Sequence, residues 1–371
     1  MPAVLYLGVA RAVADYAAVA AAVRPLRVRY AAKANPHPAL LGALAAAGAG
    51  FAVTSRAELE ALLVAGVTGA RIACVTPGPP ASLLRRARAA DVREYAVDSV
   101  WELRKVAALA PGAAVLVALA GPPAGRLRYP AARLGVALDG LDALLAVARW
   151  LPVELAGVAV HVGSQCERLA PWRAAAARAG VAWQRLEAAG YAPHVLSLGG
   201  GLPVSYRQPV PPLASVAGTL HTSLVAHFDP LPVEIWLEPG RYVAAGAGVL
   251  AATVLAREER AGRRPRLTLD VGRYDGLPEA ALGIRYPYRV PGRPEGTGEA
   301  DLERCVLLGP RGAVDVLDPA ARLPRLAPGD RLELLQAGAY TACQAAYAAS
   351  AAAPAAEVRQ GPAGAAASGG S

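Results

Sequence analysis

Aromatic residues and cysteines are scarce in this sequence, and each scarcity excludes a class of protein. Phe, Trp and Tyr make up 5% of the chain, and the net charge of +9 comes from arginines spread over many predicted helices rather than from one basic patch. We therefore expect no nucleic-acid partner. The four cysteines, Cys74, Cys166, Cys305 and Cys343, lie far apart without a Cys-x-x-Cys pair. Reduced thiols are expected, with neither a disulfide framework nor a metal site.

The sequence also lacks an apolar run suited to a membrane. A long charge-free stretch, residues 106–125, is interrupted by Pro111 and Gly112 and again by Gly121, Pro122 and Pro123. A bilayer span is not expected there. The N-terminus has no basic leader, and Arg11 and Asp15 soon interrupt its apolar residues, so the pattern predicts a cytoplasmic protein rather than a secreted one.

Lysine is almost missing. Of the 38 basic residues, two are lysines, Lys33 and Lys105, beside heavy use of Ala, Gly and Pro that is typical of a GC-rich coding sequence. Arginine can replace the charge of a lysine, but it cannot form a Schiff base as a lysine amine does. Lys33 is therefore the first candidate for a chemical role.

Short β-rich runs alternate with Ala/Leu-rich segments of helical periodicity. The predicted strands are residues 27–33, 51–55, 71–76, 94–98, 113–119, 155–164, 194–201 and 233–241. The clearest predicted helices are residues 56–65, 82–90, 100–109 and 141–150. Eight such units predict an α/β fold, a closed (β/α)8 TIM barrel, with a doubly wound open sheet as the alternative.

The sequence pattern changes after residue 241, where strand-like runs follow one another without clear helices. These runs are residues 249–256, 266–270, 305–308, 314–317 and 331–335. We predict a ligand-binding barrel over residues 8–245 and a C-terminal β domain over residues 246–350, joined by residues 1–7. A disordered tail rich in Ala, Gly and Ser is predicted over residues 351–371.

Unusual residues gather where the predicted barrel strands end, which is where active sites of such barrels lie. Lys33 ends the first strand, and His161 and Ser164 end the sixth. Gly199, Gly200 and Gly201 end the seventh, and Glu238, Gly240 and Arg241 end the eighth. A triple glycine beside an arginine suits a phosphate, and a carboxylate at Glu238 suits a protonated pyridine nitrogen. Taken singly, each is as often an ordinary turn or a structural residue, and their joint placement favours a site.

The same residues belong to a series of motifs that carry a family resemblance. The motifs are Tyr30-Ala-Ala-Lys-Ala-Asn-Pro36, residues 48–59, residues 95–105, His161-Val-Gly-Ser164, Gly199-Gly-Gly201, Glu238-Pro-Gly-Arg241, residues 269–277 and Gly338-Ala-Tyr-Thr341. In this order the chain resembles the fold-type III pyridoxal-phosphate decarboxylases, the superfamily of ornithine, diaminopimelate and arginine decarboxylases. Residues 269–287 are most similar to its bacterial ornithine/lysine decarboxylase branch.

The resemblance implies a carboxy-lyase that uses pyridoxal 5'-phosphate on a small amino acid, in amino-acid or polyamine metabolism. It implies that Lys33 binds the cofactor covalently, that His161 stacks on its ring and that Glu238 pairs with the ring nitrogen. The other implied cofactor-binding residues are Glu58 near Lys33 and, around the phosphate, Ser164, Gly199, Gly200, Gly201, Gly240, Arg241 and Tyr340. A second protomer completes each active site in this family, so a homodimer with shared active sites is implied.

The chain departs from the family pattern at four places. Ala52 and Ser197 stand where aspartates are usual, and residues 75–79 replace an Asn-Pro-x-Lys-like stretch. The loop over residues 309–315 lacks the Cys-Asp of the family's Gly-Pro-x-Cys-Asp pattern and carries Arg311 instead. We place the substrate contacts on Asp270, Arg311 and Asp315 and expect a distal ammonium group to be disfavoured. The alternative is that Arg311 points to solvent and that Asp270 or Asp315 still receives the amine.

Three functions stay open at this point. The first is an amino-acid decarboxylase with an altered substrate or product, the second a racemase-like enzyme, and the third a cofactor-binding pseudoenzyme with a regulatory role. Retention of Lys33, His161, Glu238 and Arg241 favours an enzyme, and the sequence offers no evident second base for a racemase.

Overall fold

The computed structural model describes residues 2–76, 78–121, 127, 135–293, 301–341 and 357–360. The chain divides into two compact units. The first, here called the barrel unit, consists of Val13–Val204 and Val210–Val243. The second, the β unit, consists of Met1–Ala12, Ser205–Pro209 and Ala244–Ser371. Strands are numbered β1–β16 and helices α1–α9 in chain order.

The barrel unit contains a closed barrel of eight parallel strands. The strands are β2 (Arg27–Ala31), β3 (Gly50–Val53), β4 (Ile72–Cys74), β5 (Glu94–Val97), β6 (Ala113–Ala118), β7 (Val153–Ala159), β8 (Val195–Ser197) and β9 (Glu234–Leu237). Each pairs with the next, and β9 closes the ring on β2, with Val28 opposite Leu237. The predicted TIM barrel is confirmed, and the open-sheet alternative is excluded.

Helices connect the barrel strands, as the apolar periodicity predicts. The helices of the described chain are α1 (Val9–Ala22), α2 (Pro38–Ala46), α3 (Arg56–Val64), α4 (Ala81–Ala89), α5 (Val100–Leu109), α6 (Leu141–Ala148), α7 (Ala170–Ala188), α8 (Leu213–His227) and α9 (Arg241–Ala244). The Ser55 hydroxyl caps α3 by accepting the Glu58 N–H, and the Ser99 hydroxyl caps α5 in the same way. These caps fix where both helices begin, because they satisfy N–H groups that have no partner inside the helix.

The barrel interior is filled by one large ring among small side chains. Trp236 of β9 is fully buried and packs with Ala73, Leu116, Ala156 and Val195. Alanines on the neighbouring strands leave the volume that the indole occupies, since a protein interior tolerates neither voids nor overlap. The abundant alanine of the sequence thus has a packing consequence at the centre of the barrel.

The β unit is a mixed sheet. Its strands are β1 (Val4–Leu7), β10 (Gly248–Glu258), β11 (Arg266–Leu269), β12 (Tyr288–Arg289), β13 (Glu303–Leu308), β14 (Val316–Leu323), β15 (Arg331–Leu334) and β16 (Glu357–Gln360). Six of them follow the order β12-β15-β10-β11-β13-β14, and β1 pairs with both β10 and β16. The predicted appended β domain is thereby present, with an N-terminal strand in its sheet.

The predicted disordered tail needs one correction. Within it, Glu357–Gln360 forms β16 and pairs in parallel with β1. Composition could not predict this strand, because main-chain hydrogen bonding to a sheet edge depends little on side-chain identity. The rest of the tail, like Cys343, lies outside the described residues. Among the described helices, none combines the length and the apolar character that crossing a membrane would require.

Candidate active site

Lys33 lies just beyond β2, on a single helical turn at the carboxyl end of the barrel. Ala32 and Ala34 on either side are buried, whereas the lysine itself is exposed. The Tyr30 hydroxyl donates to the Asn35 carbonyl at 3.1 Å, and the Ala31 N–H donates to the Pro239 carbonyl at 3.0 Å. The turn is thus anchored on both sides while the amine stays accessible.

The second lysine has a different environment. Lys105 lies on α5 and forms an ion pair with Glu102 at 2.8 Å, one helical turn away. Lys33 has no carboxylate within ion-pair distance among the described residues. The structure thus separates an amine that is paired with a carboxylate from an amine that is accessible at the barrel mouth.

Glu238 follows β9, the strand that closes the barrel on β2. Its oxygen Oε1 accepts hydrogen bonds from the Ser197 hydroxyl at 2.5 Å and from the Trp236 indole N–H at 3.1 Å. Its backbone N–H donates to the Gly199 carbonyl at 2.8 Å. No described residue binds the other oxygen, Oε2, which remains available to a ligand.

Two N–H groups of the triple glycine after β8 bind side chains of the protein, whereas the sequence predicted that the glycines face a phosphate. Gly199 and Gly201 adopt φ values of +62° and +122°, which favour glycine, and a Cβ on either would collide with backbone carbonyls. The Gly199 N–H donates to the Ser197 hydroxyl at 3.1 Å and the Gly200 N–H to His161 Nδ1 at 3.0 Å. Of the three N–H groups, that of Gly201 has no acceptor among the described residues.

His161 lies beyond β7 and faces the barrel mouth. The residue is exposed to solvent, yet protein atoms surround its ring. This enclosure, together with the positive charge of Lys33, lowers the pKa of His161 to about 4. The hydrogen bond from Gly200 agrees with a neutral ring, because Nδ1 accepts only when it carries no proton.

The lowered pKa of His161 predicts a pH-dependent stability of the cofactor-free protein. Its ordinary value is 6.5, so between pH 6.5 and about 4 the unfolded chain binds a proton that the folded chain excludes. The free energy of unfolding should therefore fall as the pH is lowered through this window and level off below it. Denaturant titrations over this range should show a weaker fall for His161→Gln, and an unchanged fall would contradict the assignment.

Ser164 and Arg241 join the ends of β7 and β9. The Arg241 guanidinium is 3% exposed and donates to the Ser164 hydroxyl at 2.9 Å. Gly240, next to Arg241, is also buried. The adjacent Gln165 has a left-handed φ of 57°, and its amide bonds both the N–H and the carbonyl of Val204. A buried arginine beside a serine and a free N–H of Gly201 suits an anion such as phosphate.

Glu58 has a structural partner set that the sequence reasoning did not predict. Its carboxylate accepts from the Thr54 N–H at 2.7 Å and from the Ser55 hydroxyl at 2.8 Å, while its own N–H donates to Ser55. This reciprocal arrangement is a capping box at the start of α3. The predicted place of Glu58 near Lys33 stays a prediction.

The predicted substrate residues belong to the β unit, and two of them are engaged by backbone. Asp315 is fully buried, and its carboxylate accepts the Arg273 N–H at 2.8 Å and the Arg311 N–H at 3.4 Å. Asp270 Oδ1 accepts the Thr253 N–H at 2.8 Å beside an irregularity between β10 and β11. The Asp315 carboxylate thus holds the loop together, and its contact with substrate stays a prediction. Tyr340 is half-buried with a left-handed φ of 54°.

Arg311 occupies an exposed cluster with neighbours that the sequence reasoning missed. Its guanidinium lies 4.8 Å from the ring centre of Tyr274 and 3.3 Å from Asp275. The guanidinium of Arg273 lies 5.0 Å from the same ring and has no carboxylate partner among the described residues. The cluster thus holds two guanidinium groups and one half-buried carboxylate, that of Asp275.

Comparison with known proteins identifies the family of this site. Residues 9–245 match the sequence model of the pyridoxal-dependent decarboxylases, in its pyridoxal binding domain. The chain belongs to this family. The resemblance drawn from the motifs is confirmed, and with it pyridoxal phosphate as the cofactor.

Individual members of the family show how far the similarity extends. The ornithine decarboxylase of Neurospora crassa is 35% identical over 231 residues, which are 62% of this chain and 46% of that protein. The antizyme inhibitor 2 of Homo sapiens is 30% identical over 86% of this chain and 72% of its own length. The crystal structure of lysine decarboxylase from Selenomonas ruminantium superposes with a TM-score of 0.83 at 28% identity, covering 96% of this chain and 92% of that one.

Proposed function

We propose that this family member is an amino-acid decarboxylase of the ornithine/diaminopimelate type whose substrate lacks a distal ammonium group. The observation that carries the proposal is the arrangement of the cofactor residues on one arc of the barrel. β7, β8, β9 and β2 are consecutive neighbours in the ring, and they end at His161 and Ser164, at the triple glycine, at Glu238 and Arg241, and at Lys33. One ligand at the mouth can therefore meet all of them.

The residues of this arc fit the parts of pyridoxal phosphate. Lys33 supplies the exposed amine for covalent attachment, and the neutral His161 ring supplies a flat face for stacking. Glu238 offers Oε2 to the ring nitrogen, while Arg241, Ser164 and the Gly201 N–H would hold the phosphate. When bound, the cofactor accepts the electrons that the breaking Cα–carboxylate bond releases.

The substrate's distal end is assigned to the cluster around Arg311. The family's Cys-Asp is absent from this loop, and Asp315 has its carboxylate on backbone N–H groups. The cluster itself offers a cation no described carboxylate beyond Asp275, which already pairs with Arg311. A carboxylate or a neutral group would be favoured, because like charges repel and a guanidinium pairs readily with a carboxylate.

A panel of amino acids tests this proposal. Ornithine, lysine, diaminopimelate and glutamate are compared by carbon dioxide release and by mass identification of the products. We expect kcat/KM for ornithine and for lysine to be lower, by about tenfold or more, than kcat/KM for the best carboxylate-bearing or neutral substrate. Arg311→Asp should raise the relative efficiency with ornithine, whereas the same change at Arg304, an exposed residue of β13, should not. Efficient conversion of ornithine to putrescine by the unmodified protein would refute the assignment of the distal group.

A regulatory role is the second candidate, because human antizyme inhibitor 2 is 30% identical over most of the chain. Retention of Lys33, His161, Glu238 and Arg241 favours an enzyme, since cofactor chemistry uses all four. Carbon dioxide release from any member of the panel decides against the regulatory role.

We further propose a cytoplasmic homodimer with shared active sites. Cys74, Cys166 and Cys305 are free buried thiols, which suits a reducing compartment. The dimer follows the family pattern, in which the loop of one protomer completes the site of the other. Molar mass measured in solution by light scattering tests it, and a monomer that retains full activity would contradict it.

A further inference from the structure

Two donors converge on one oxygen of the Glu238 carboxylate. The Ser197 hydroxyl lies 2.5 Å and the Trp236 indole nitrogen 3.1 Å from Oε1. A carboxylate bound through one oxygen by donors on two different strands cannot rotate freely about its last bond. Its other oxygen is left in one orientation.

Trp236 is itself immobilised by charged groups beneath it. It lies on β9, two residues before Glu238, and its indole N–H reaches that carboxylate. The guanidinium of Arg29 lies 3.8 Å from the Trp236 ring centre and pairs with Glu94 at 3.1 Å and Glu234 at 3.3 Å. Arg29 and Trp236 are both buried, so the cation and the ring face hold each other with little screening by water.

Ser197 connects the glycine turn to the carboxylate. Its oxygen accepts the Gly199 N–H at 3.1 Å, which directs its own hydrogen toward Glu238. A hydroxyl can accept and donate at once, whereas an ionised aspartate at this position could only accept. It would also place a second negative charge beside Glu238. With serine instead of aspartate at position 197, Glu238 has a hydrogen-bond donor beside it rather than a second negative charge. Trp236 supplies the second donor.

We propose that Ser197 and Trp236 are positioning residues that hold Glu238 Oε1, so that Oε2 remains fixed for the ring nitrogen of pyridoxal phosphate. This inference rests on the proposed function of the site. Ser197 and Trp236 act through Glu238 and do not themselves touch the cofactor. Together with Glu94 they line one cavity of the barrel interior that also reaches Glu238.

Ser197→Ala and Trp236→Phe test the proposal, because each removes one donor and leaves the carboxylate. Ring-nitrogen protonation is read from the 15N chemical shift of bound, 15N-labelled pyridoxal phosphate. We expect both signals to move toward the unprotonated value and kcat to fall roughly 10- to 100-fold with KM little changed. Ser197→Thr, which keeps the hydroxyl, should restore the unmodified spectrum.

Trp172→Phe is the matched control for loss of an indole. Trp172 is 1% exposed, and its N–H has no acceptor among the described residues. This variant should have the same 15N shift and kcat as the unmodified protein. Any change that it does show measures the general effect of replacing a buried indole with a smaller ring. If Trp236→Phe fails to fold, the Ser197→Ala and Ser197→Thr pair still decides the outcome.

The results also separate this inference from the proposed function. An unmodified protein that binds no pyridoxal phosphate, or holds it with an unprotonated ring, overturns the proposed function itself. An unmodified protein with a protonated ring, alongside variants whose shift and kcat are unaltered, overturns only the positioning roles of Ser197 and Trp236.

Discussion

Lys33→Arg should lose covalent cofactor and lower turnover by roughly 10⁴-fold, in the range seen when a covalent catalytic group is removed. The guanidinium keeps the positive charge but stays protonated at any accessible pH, so it cannot attack an aldehyde. The visible absorbance of the purified protein should disappear with the substitution. Borohydride reduction of the unmodified protein followed by peptide mapping should place the cofactor on the peptide that contains Lys33.

Lys105→Arg is the matched control, because it is the other lysine of the chain and already forms an ion pair with Glu102. Arginine can maintain that pair, so absorbance, cofactor content and turnover should stay near those of the unmodified protein. A cofactor adduct on Lys105, or on neither lysine, would overturn the assignment of Lys33.

Glu238→Gln and Arg241→Ala should produce two different defects. Glu238→Gln should keep the cofactor and lower kcat roughly a hundredfold or more, because an amide no longer stabilises a protonated ring nitrogen. Arg241→Ala removes a buried, charge-assisted contact to the phosphate and should weaken cofactor retention by about 1.5–3 kcal/mol. Titration of the cofactor-free proteins with pyridoxal phosphate measures retention, and kcat at saturating cofactor measures catalysis.

Thermal melting of both variants excludes unfolding as the common cause. Ser164→Ala provides the comparison for Arg241, because it removes the neutral partner of the same guanidinium and leaves the charge. A smaller loss of retention is expected from it. If Glu238→Gln and Arg241→Ala showed the same defect, the separation of ring and phosphate roles would be wrong.

The fold was predictable from the sequence because the barrel repeats one simple pattern. Each predicted strand overlaps an observed one, and α5 has the predicted bounds, since Ser99 and Glu102 mark its start. Several predicted strands ran too far, for example 155–164 against Val153–Ala159 and 194–201 against Val195–Ser197. The excess residues include His161, Ser164 and the triple glycine. The apolar residues beside them continue the β pattern in the sequence. In the structure, however, these residues lie beyond the last strand pairing and form the mouth of the site.

Two acidic residues have structural contacts that the sequence reasoning did not predict. Glu58 follows Ser55 by three positions, which is the spacing of a capping box, and the structure uses it so. The sequence analysis placed Asp315 among the substrate contacts; in the structure, the glycines at 272 and 309 make room for its carboxylate, which accepts the Arg273 N–H. A carboxylate accepts either use equally well, so only the positions of nearby donors decide between them.

The residue types of the site, their order and the strand that carries each one followed from the sequence alone, because a period of two and a helical period are local properties of the chain. The contacts that give the site its chemistry did not. Ser197 reaches Glu238 across 41 positions, and Gly200 reaches His161 across 39. Closure of the barrel brings those strand ends together and sets the angles at which their side chains meet. A hydrogen bond depends on both distance and angle within narrow limits, so it exists only once the ring of strands has closed.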